Sequence, residues 1–404
     1  MRLLLIHQNF PGQFRQLAPY LIHHGHELVC ICSHDREVNL PVKILRYQAP
    51  KKIEGLSHFG ASLWVEALQR AESVAHIVSS LLAECWKPDC VLAHSGWGET
   101  IGLAEILPGV PQVIWPELWI LPEHGGYGID PQKPIVGISQ KLEQLGRNAL
   151  TRVALDHAYS WIVPTWHQAN SFPSKYQDCR LHVIHEGIDT KIASPNSLVS
   201  YGVRGVVIDR SVPTITFVNR NLERLRGFDM FMRAIPLIQQ LHKTVRVLIV
   251  GDNEPGYAGL PLGGGNLRQI LLTELQSQLD MERIHFLGRI PHSQLIALFQ
   301  ASWVHVYLSY PFVLSWSFLE AMSCGCSIVA SKCMPVEEVI EDGVQGFLIP
   351  MDDSEKLAQR VVALLETPEL RKRIGEAARL EALNWDQSVT LPKIASVIQE
   401  ACKS

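Results

Sequence analysis

The sequence lacks any apolar run near the roughly 18 residues that a membrane-spanning helix needs, so no such helix is expected. It lacks HExxH and any CxxC pair. Its nine cysteines are an odd count, scattered through apolar strands (Cys30, Cys32, Cys90, Cys326) or helices, which points to reduced thiols rather than a disulfide framework or a zinc site. A basic excess is missing too: the formal net charge is −4, without the footprint of a nucleic-acid binder. The loop at residues 8–13 has no GxGxxG, so a tight dinucleotide turn is not supported. The opening MRLLLIHQNF has too short an apolar run for a signal peptide and fits a first sheet strand. No strongly basic amphipathic helix is present. The expected location is therefore cytoplasmic, with contact at the inner membrane face at most peripheral.

What is present is a globular composition, 47% apolar and 19% charged, in a chain of 404 residues, too long for one ordinary core. Strand-length runs at 2–7, 27–32, 90–93, 113–115, 160–164 and 181–184 alternate with helical stretches at 14–24, 62–85 and 138–157. Pro19 is expected to kink the first helix. A long loop, 116–134, is rich in Gly, Pro and aromatics. Residues 191–213, with Pro195, Gly202 and Gly205, break the rhythm and read as an interdomain region. The alternation then resumes, with strands at 214–218, 245–250, 284–287, 304–308, 326–330 and 347–349 and helices between and after them. It predicts an α/β fold of two doubly wound, Rossmann-like parallel sheets facing each other across a cleft, with a single eight-unit barrel as the alternative. The expected domains are 1–190, a linker region at 191–213, 214–382, and a closing segment at 383–404.

The chain is organised around residues 305–330, HVYLSYPFVLSWSFLEAMSCGCSIVA. A strand, a turn with Pro311, a short helix opening at Ser315 and a glycine at 325 follow one another. In such sheets ligands bind where a strand's C-terminal end meets the next helix. The first amides of that helix, at Ser315, Trp316 and Ser317, would present donors and partial positive charge to an anion. Glu320 lies about 7 Å further along at 1.5 Å per residue, placed for a ribose. The loop NRNLERLRG at 219–227 opens on the same sheet edge with Arg220, Arg224 and Arg226. Guanidinium groups there would neutralise a diphosphate and stabilise it as a leaving group; otherwise they are ordinary solvated arginines. Gly251 and Gly288 end strands, where glycine allows close approach of a ligand or merely punctuates the chain. His94 ends a strand ahead of Ser95, Gly96 and Trp97. Asp352 and Asp353 read as an N-cap pair. His23, His24 and His26 cluster at a helix end without a metal pattern. Trp115, Trp119 and Tyr127 are candidates to stack on an acceptor.

At these loops the chain resembles the family-4 retaining glycosyltransferases, which have the GT-B architecture. FVNRNLERLRGFDMFMRA resembles the family's phosphate-binding stretch. VLIVGD, HFLGRIP, LEAMSCGCSIVAS and VEEVIEDGVQGFLIP resemble its following blocks, in order. IHQNFPGQFRQLAPYL and PDCVLAHSGWG resemble its first loop and strand-end histidine, and HEGIDT the stretch leading into its linker. The resemblance implies an acceptor-side first domain, a nucleotide-sugar-binding second domain and a last helix, near 388–401, that crosses back to the first. It implies that Arg220 and Arg226 hold the donor diphosphate with the amides of 315–317. Glu320 would bind the ribose, and the backbone around Gly251, Arg289 and Ile290 would meet the nucleotide. His94 would touch the donor sugar, and Pro11 and Gly12, with Trp119, would line the acceptor side. No metal or other cofactor is implied.

Two departures stand out. The family carries a glutamate eight residues before the position of Glu320; here Phe312 stands there, and no acid lies between Glu282 and Glu320. The family's lysine is Arg226, which keeps the charge and adds a forked donor. The expected reaction is transfer of a sugar from a nucleoside diphosphate sugar to a saccharide, lipid-linked or small-molecule hydroxyl. No carboxylate is marked out as a nucleophile, so same-face attack is expected. A nucleotide-sugar epimerase of the same fold and a non-catalytic nucleotide-sugar-binding subunit are the alternatives.

Overall fold

The computed structural model describes residues 1–403 apart from 52–54, 56–58, 134, 255, 258, 262 and 263. The chain forms two compact units. The first comprises Met1–Pro122, Ile135–Gly187 and Gln387–Ser404; the second comprises Glu123–Pro134 and Ile188–Asp386.

The first unit holds strands β1 (Arg2–Ile6), β2 (Glu27–Cys32), β3 (Lys43–Arg46), β4 (Cys90–His94), β5 (Gln112–Trp115), β6 (Ser160–Val163) and β7 (Leu181–Val183). They pair in parallel in the order β3-β2-β1-β4-β5-β6-β7. Both faces of β1 and β4 are buried, as their unbroken apolar runs require of a sheet covered on each side. On one face pack Val74, Val78 and Leu81 of helix Phe59–Ala83 and Ala154 and Leu155 of helix Ile138–Asp156. On the other lie Leu17 and Leu21 of helix Leu17–His23, with Leu391, Ile394, Ile398 and Ala401 of the last helix, Gln387–Ala401. That i, i+3, i+7, i+10 stripe carries the end of the chain back onto the first sheet. Pro19 does not kink its helix: it falls in the first turn of Leu17–His23, where its missing N–H has no partner to lose.

The second unit holds β8 (Ser200–Val203), β9 (Val206–Asp209), β10 (Thr214–Asn221), β11 (Arg246–Asp252), β12 (Ile284–Gly288), β13 (Val304–Tyr307), β14 (Ser327–Ser331) and β15 (Gly346–Ile349). Six of them form a parallel sheet in the order β12-β11-β10-β13-β14-β15. Helices Phe228–Leu241 and Ser354–Glu366 cover one face; His292–Ala301, Trp316–Ser323 and Pro368–Leu383 cover the other. The chain is therefore a GT-B-type pair of Rossmann-like units, not a barrel. Both sheets reverse strand order once, at β1/β4 and at β10/β13, and that reversal is where such sheets bind ligands.

The units divide the chain differently from the expected domains: the second takes in residues 188–213 and 383–386 as well. Residues 191–213 are not a bare linker. They carry the β8–β9 hairpin, whose Val203 and Ile208 join Val199 in the second unit's core. Residues 123–134, read as part of the first domain, cluster with the second. Among the described residues no helix is long and apolar enough to cross a membrane, and all nine cysteines are free.

Candidate functional site

In the second unit the loops after β10 and β13 are tied to each other. Helix Trp316–Ser323 begins at Ser315, whose backbone is extended, and ends in a Schellman turn. Gly325, at φ 78°, donates its N–H to the Met322 carbonyl, and Cys326 donates to Ala321. The Ser315 amide donates to the Tyr307 hydroxyl at 3.3 Å, and the Ser315 and Ser317 hydroxyls share a bond of 2.7 Å. Tyr307 is itself buried and stacked on Phe318 at 4.3 Å.

Arg226 reaches into this loop. Its Nη1 donates to Ser309 Oγ at 2.8 Å and to the Val313 carbonyl at 3.4 Å, and its guanidinium lies 5.1 Å from the centre of the Phe312 ring. Ser309 is fixed in turn by Ser331 of β14, which accepts from its amide and donates to its carbonyl. Arg226 and the start of the helix are thus braced by the same segment, 307–315. Arg220 stands exposed at the end of β10. Neither Arg220 nor Arg226 has a carboxylate partner among the described residues. Arg224 is committed elsewhere: it pairs with Asp130 at 2.9 Å and Asp229 at 2.7 Å. Burial alone would raise the Asp130 pKa, but the Arg224 hydrogen bond, the Gln132 amide and nearby positive charge outweigh it and hold the carboxyl below its ordinary value.

Gly227, at φ 61°, lies so close to β13 that an added Cβ would sit 2.4 Å from Leu308 Cβ. Gly227→Ala should cost about 2–4 kcal/mol, combining a left-handed backbone penalty with overpacking, measured as a lower urea midpoint at unchanged slope. Gly251 is a place of close approach to protein: a Cβ there would meet Leu222 at 2.7 Å and the Asn219 carbonyl at 2.9 Å. Arg289 is exposed and pairs with Asp252 at 3.0 Å, joining the ends of β12 and β11. Ile290 is half-buried against the core. Trp316 and Ser317 are half-buried in the first turn of their helix. Glu320 is 7% exposed and accepts a 2.7 Å hydrogen bond from His292 Nε2, a partner the sequence reading missed. A carboxylate this deep needs a donor, and His292 opens the neighbouring helix at the right height.

The first unit gathers a second cluster at its own switch point. His94 ends β4 and is 4% exposed. Its Nδ1 accepts the Gly96 amide at 3.1 Å, and its Nε2 faces Glu117 Oε2 at 3.4 Å. His7, just past β1, repeats the arrangement: Nδ1 accepts the Asn9 amide at 2.9 Å and Nε2 meets Gln13 Oε1. An amide donating to Nδ1 assigns the proton to Nε2 in both rings. The rings lie 5.1 Å apart. Burial, reinforced by His94, drops the His7 pKa to about 4. Gly12 and Gly96 lie flat on these rings: a Cβ would come within 2.3 Å of the His7 ring or 2.8 Å of the His94 ring. Gly12 thus lines His7 directly.

Trp119 is a correction. It is 8% exposed and packs on Phe172 and Tyr176 in the first unit's core. The loop's composition suggested exposure, but its first residues turn inward, where Asn148 satisfies the backbone of Ile120 on both sides. Trp115 is likewise buried, against Phe14. His7, Gln13, Glu117, His292 and Ser309 escaped the sequence reading. The strand-end rule that singled out His94 would also have found His7, Glu117 and Ser309.

Residues 24–193 match the model of the glycosyl transferase family 4 group, and residues 205–381 that of the glycosyl transferases group 1. The chain belongs to this glycosyltransferase family. Among curated relatives it is 30% identical over 242 residues to the D-inositol 3-phosphate glycosyltransferase of Mycolicibacterium vanbaalenii, covering 58% of this chain and 52% of that one. It spans about half the length of the curated relatives it matches. Sucrose-phosphate synthase of Thermosynechococcus elongatus is similar in structure, with a TM-score of 0.77 at 16% identity, over 99% of this chain and 98% of that one. Anabaena HepE in complex with UDP-glucose is similar with a TM-score of 0.70 at 18% identity, over 99% and 100%. At these identities the structural likeness concerns the fold.

Proposed function

We propose that the protein transfers a sugar from a nucleoside diphosphate sugar to an acceptor hydroxyl with retention of anomeric configuration. The observation that carries this reading is the bracing of Arg226 and the Ser315 helix start by one segment. Two arginines without carboxylate partners and a helix start would form an anion site matched in charge and size to a diphosphate. Breaking the anomeric bond builds negative charge on the departing diphosphate, and Arg220, Arg226 and the amides of Trp316 and Ser317 meet it, the Ser315 amide being taken by Tyr307. These cations do the work a metal ion would otherwise do, so no metal or cofactor is required.

Glu320, steadied by His292, takes the ribose hydroxyls. Backbone near Gly251, Arg289 and Ile290 meets the base. His94 meets the donor sugar beside Glu117, which its Nε2–H faces, and Pro11 and Gly12 line the acceptor side; Trp119 is left out because its ring is spent on packing. The acceptor oxygen attacks on the face the diphosphate leaves, and its proton passes to that leaving group. A nucleotide-sugar donor accords with the UDP-glucose bound by HepE. A polyol acceptor accords with the name of the inositol phosphate relative. The free cysteines fit a cytoplasmic enzyme.

The test is a thermal-shift panel of nucleoside diphosphates and their sugars, followed by transfer assays. A bound nucleotide at about 100 times its Kd should add about 2.7 kcal/mol and raise Tm by several degrees. No shift with any of them would refute the reading. A new epimer formed without acceptor would transfer the assignment to an epimerase, and binding without turnover would make the chain a non-catalytic subunit.

A further inference from the structure

Glu117 brings a carboxylate to a site where the sequence marked none. Only three described residues other than glycine have positive φ: Cys85, Glu117 and Arg204. Cys85 follows the helix Phe59–Ala83, and Arg204 turns the β8–β9 hairpin. Both are ordinary places for a left-handed residue. Glu117, at φ 59°, has no such excuse. It is the centre of a γ-turn, in which the Leu118 amide donates to the Pro116 carbonyl at 2.7 Å. A positive-φ γ-turn is rare and strained. The surroundings enforce it: buried Gln168, tied to Thr165, donates to the Glu117 carbonyl at 2.7 Å. Strain that a protein over-determines in this way tends to mark function.

The turn aims the side chain. Oε2 faces His94 Nε2 at 3.4 Å, and Oε1 accepts from Gln13 Nε2 at 3.4 Å. The carboxylate therefore links the histidine assigned to the donor sugar with the loop assigned to the acceptor. Its side chain remains 42% exposed and within reach of a ligand, although His94 is buried. Glu117 is the acidic side chain in direct contact with His94 among the described residues.

Resting on the transfer reading above, we propose that Glu117 is a catalytic residue that stabilises the positive charge developing on the donor sugar ring. As the anomeric C–O bond breaks, its electron pair leaves with the diphosphate and the ring turns oxocarbenium-like. A fixed carboxylate beside His94 favours that charge over the neutral ground state. It forms no covalent bond and takes up no proton.

The test compares wild type, Glu117→Gln and Glu117→Asn, using the nucleoside diphosphate sugar that gives the largest thermal shift. Gln keeps the size and removes the charge; Asn removes the charge on a side chain one methylene shorter and tolerates the left-handed backbone. Both variants should lower kcat about 100-fold for transfer and equally for acceptor-independent donor hydrolysis. The KM values for donor and acceptor should stay within about threefold, and the Asn variant should keep the wild-type Tm. Two results would overturn the assignment: kcat within about threefold of wild type, or a loss appearing in the acceptor KM with hydrolysis intact. A wild-type protein that binds no nucleotide and turns over no donor removes the transfer reading itself, and this inference with it.

Discussion

Replacing Arg220 and Arg226 together with alanine should reduce transfer about a thousandfold while leaving the fold in place. Removing a single preorganised donor at a developing charge typically costs about 10²–10³ in kcat; the exposed Arg220 is taken to add less than the braced Arg226. Arg226 gives up two hydrogen bonds, to Ser309 and Val313, at about 1 kcal/mol each, so the second unit should remain folded. Nucleoside diphosphate affinity should fall with activity, read by titration calorimetry. Near-normal transfer by the double variant would refute the diphosphate assignment. Arg226→Lys should recover only part of the loss, because an ammonium keeps the charge without the planar fork that a guanidinium presents to phosphate oxygens.

Arg224→Ala is the informative contrast from the same loop. It strands Asp130 and Asp229, 4% and 17% exposed, beside a lost guanidinium. Breaking such a pair costs about 3–5 kcal/mol, with the lower end expected for groups that keep some solvent contact. Its defect should therefore be one of stability. Segment 123–134, which Asp130 anchors to the second unit, should become the first place cut by protease.

The second large effect is acid lability. His7, His185 and His305 are buried, and burial is the first cause that lowers each pKa, to about 4, 3 and 3. In the unfolded chain each binds a proton below about 6.5; in the fold each stays neutral until far lower. The unfolded state thus binds more protons as pH falls, and stability declines from about pH 6.5 down through the folded pKa values. At about 1.4 kcal/mol per pH unit per group, the first unit, with two of these histidines, should lose about 4 kcal/mol between pH 7 and 5. The second unit, with one, should lose about 2 kcal/mol over the same interval by the same rule. Glu99 and Asp229, raised chiefly by burial, work in the opposite direction, adding stability as pH falls from their raised pKa values toward the ordinary carboxylate range, and so offset part of this loss. Urea midpoints at pH 7 and 5 measure the difference. A pH-independent midpoint would mean that water reaches these rings. His305→Asn should flatten the second unit's profile by one histidine's share.

Much of this fold was legible because its signals are local. A run such as VLIVGD can be buried on both faces only in a covered parallel strand. Gly325, in the left-handed conformation just past helix Trp316–Ser323, closes that helix wherever it sits. The Asp353 side chain caps the Lys356 amide as its spacing suggested. Strand-to-helix loops could be assigned to one edge of each sheet because chain direction in a parallel sheet puts them there. Short polar strands were not legible. Lys43–Arg46 has little apolar pattern, and β8–β9 sits in a stretch whose prolines and glycines read as a linker.

The order of residues along the chain settled which side chains belong to strand ends, helix starts and covered runs, and with them the α/β class and Arg226 as an anion ligand candidate. Pairing across the chain was settled only by tertiary structure. Glu320 meets His292 from 28 residues away, and Glu117 meets His94 from 23 and Gln13 from 104. Trp119 turned inward because its neighbours offered an apolar pocket and hydrogen bonds for the backbone on either side of it. Periodicity reports which face of an element is buried, whereas a buried polar group's partner depends on which elements lie side by side. That is decided by packing, and nothing local in the sequence encodes it.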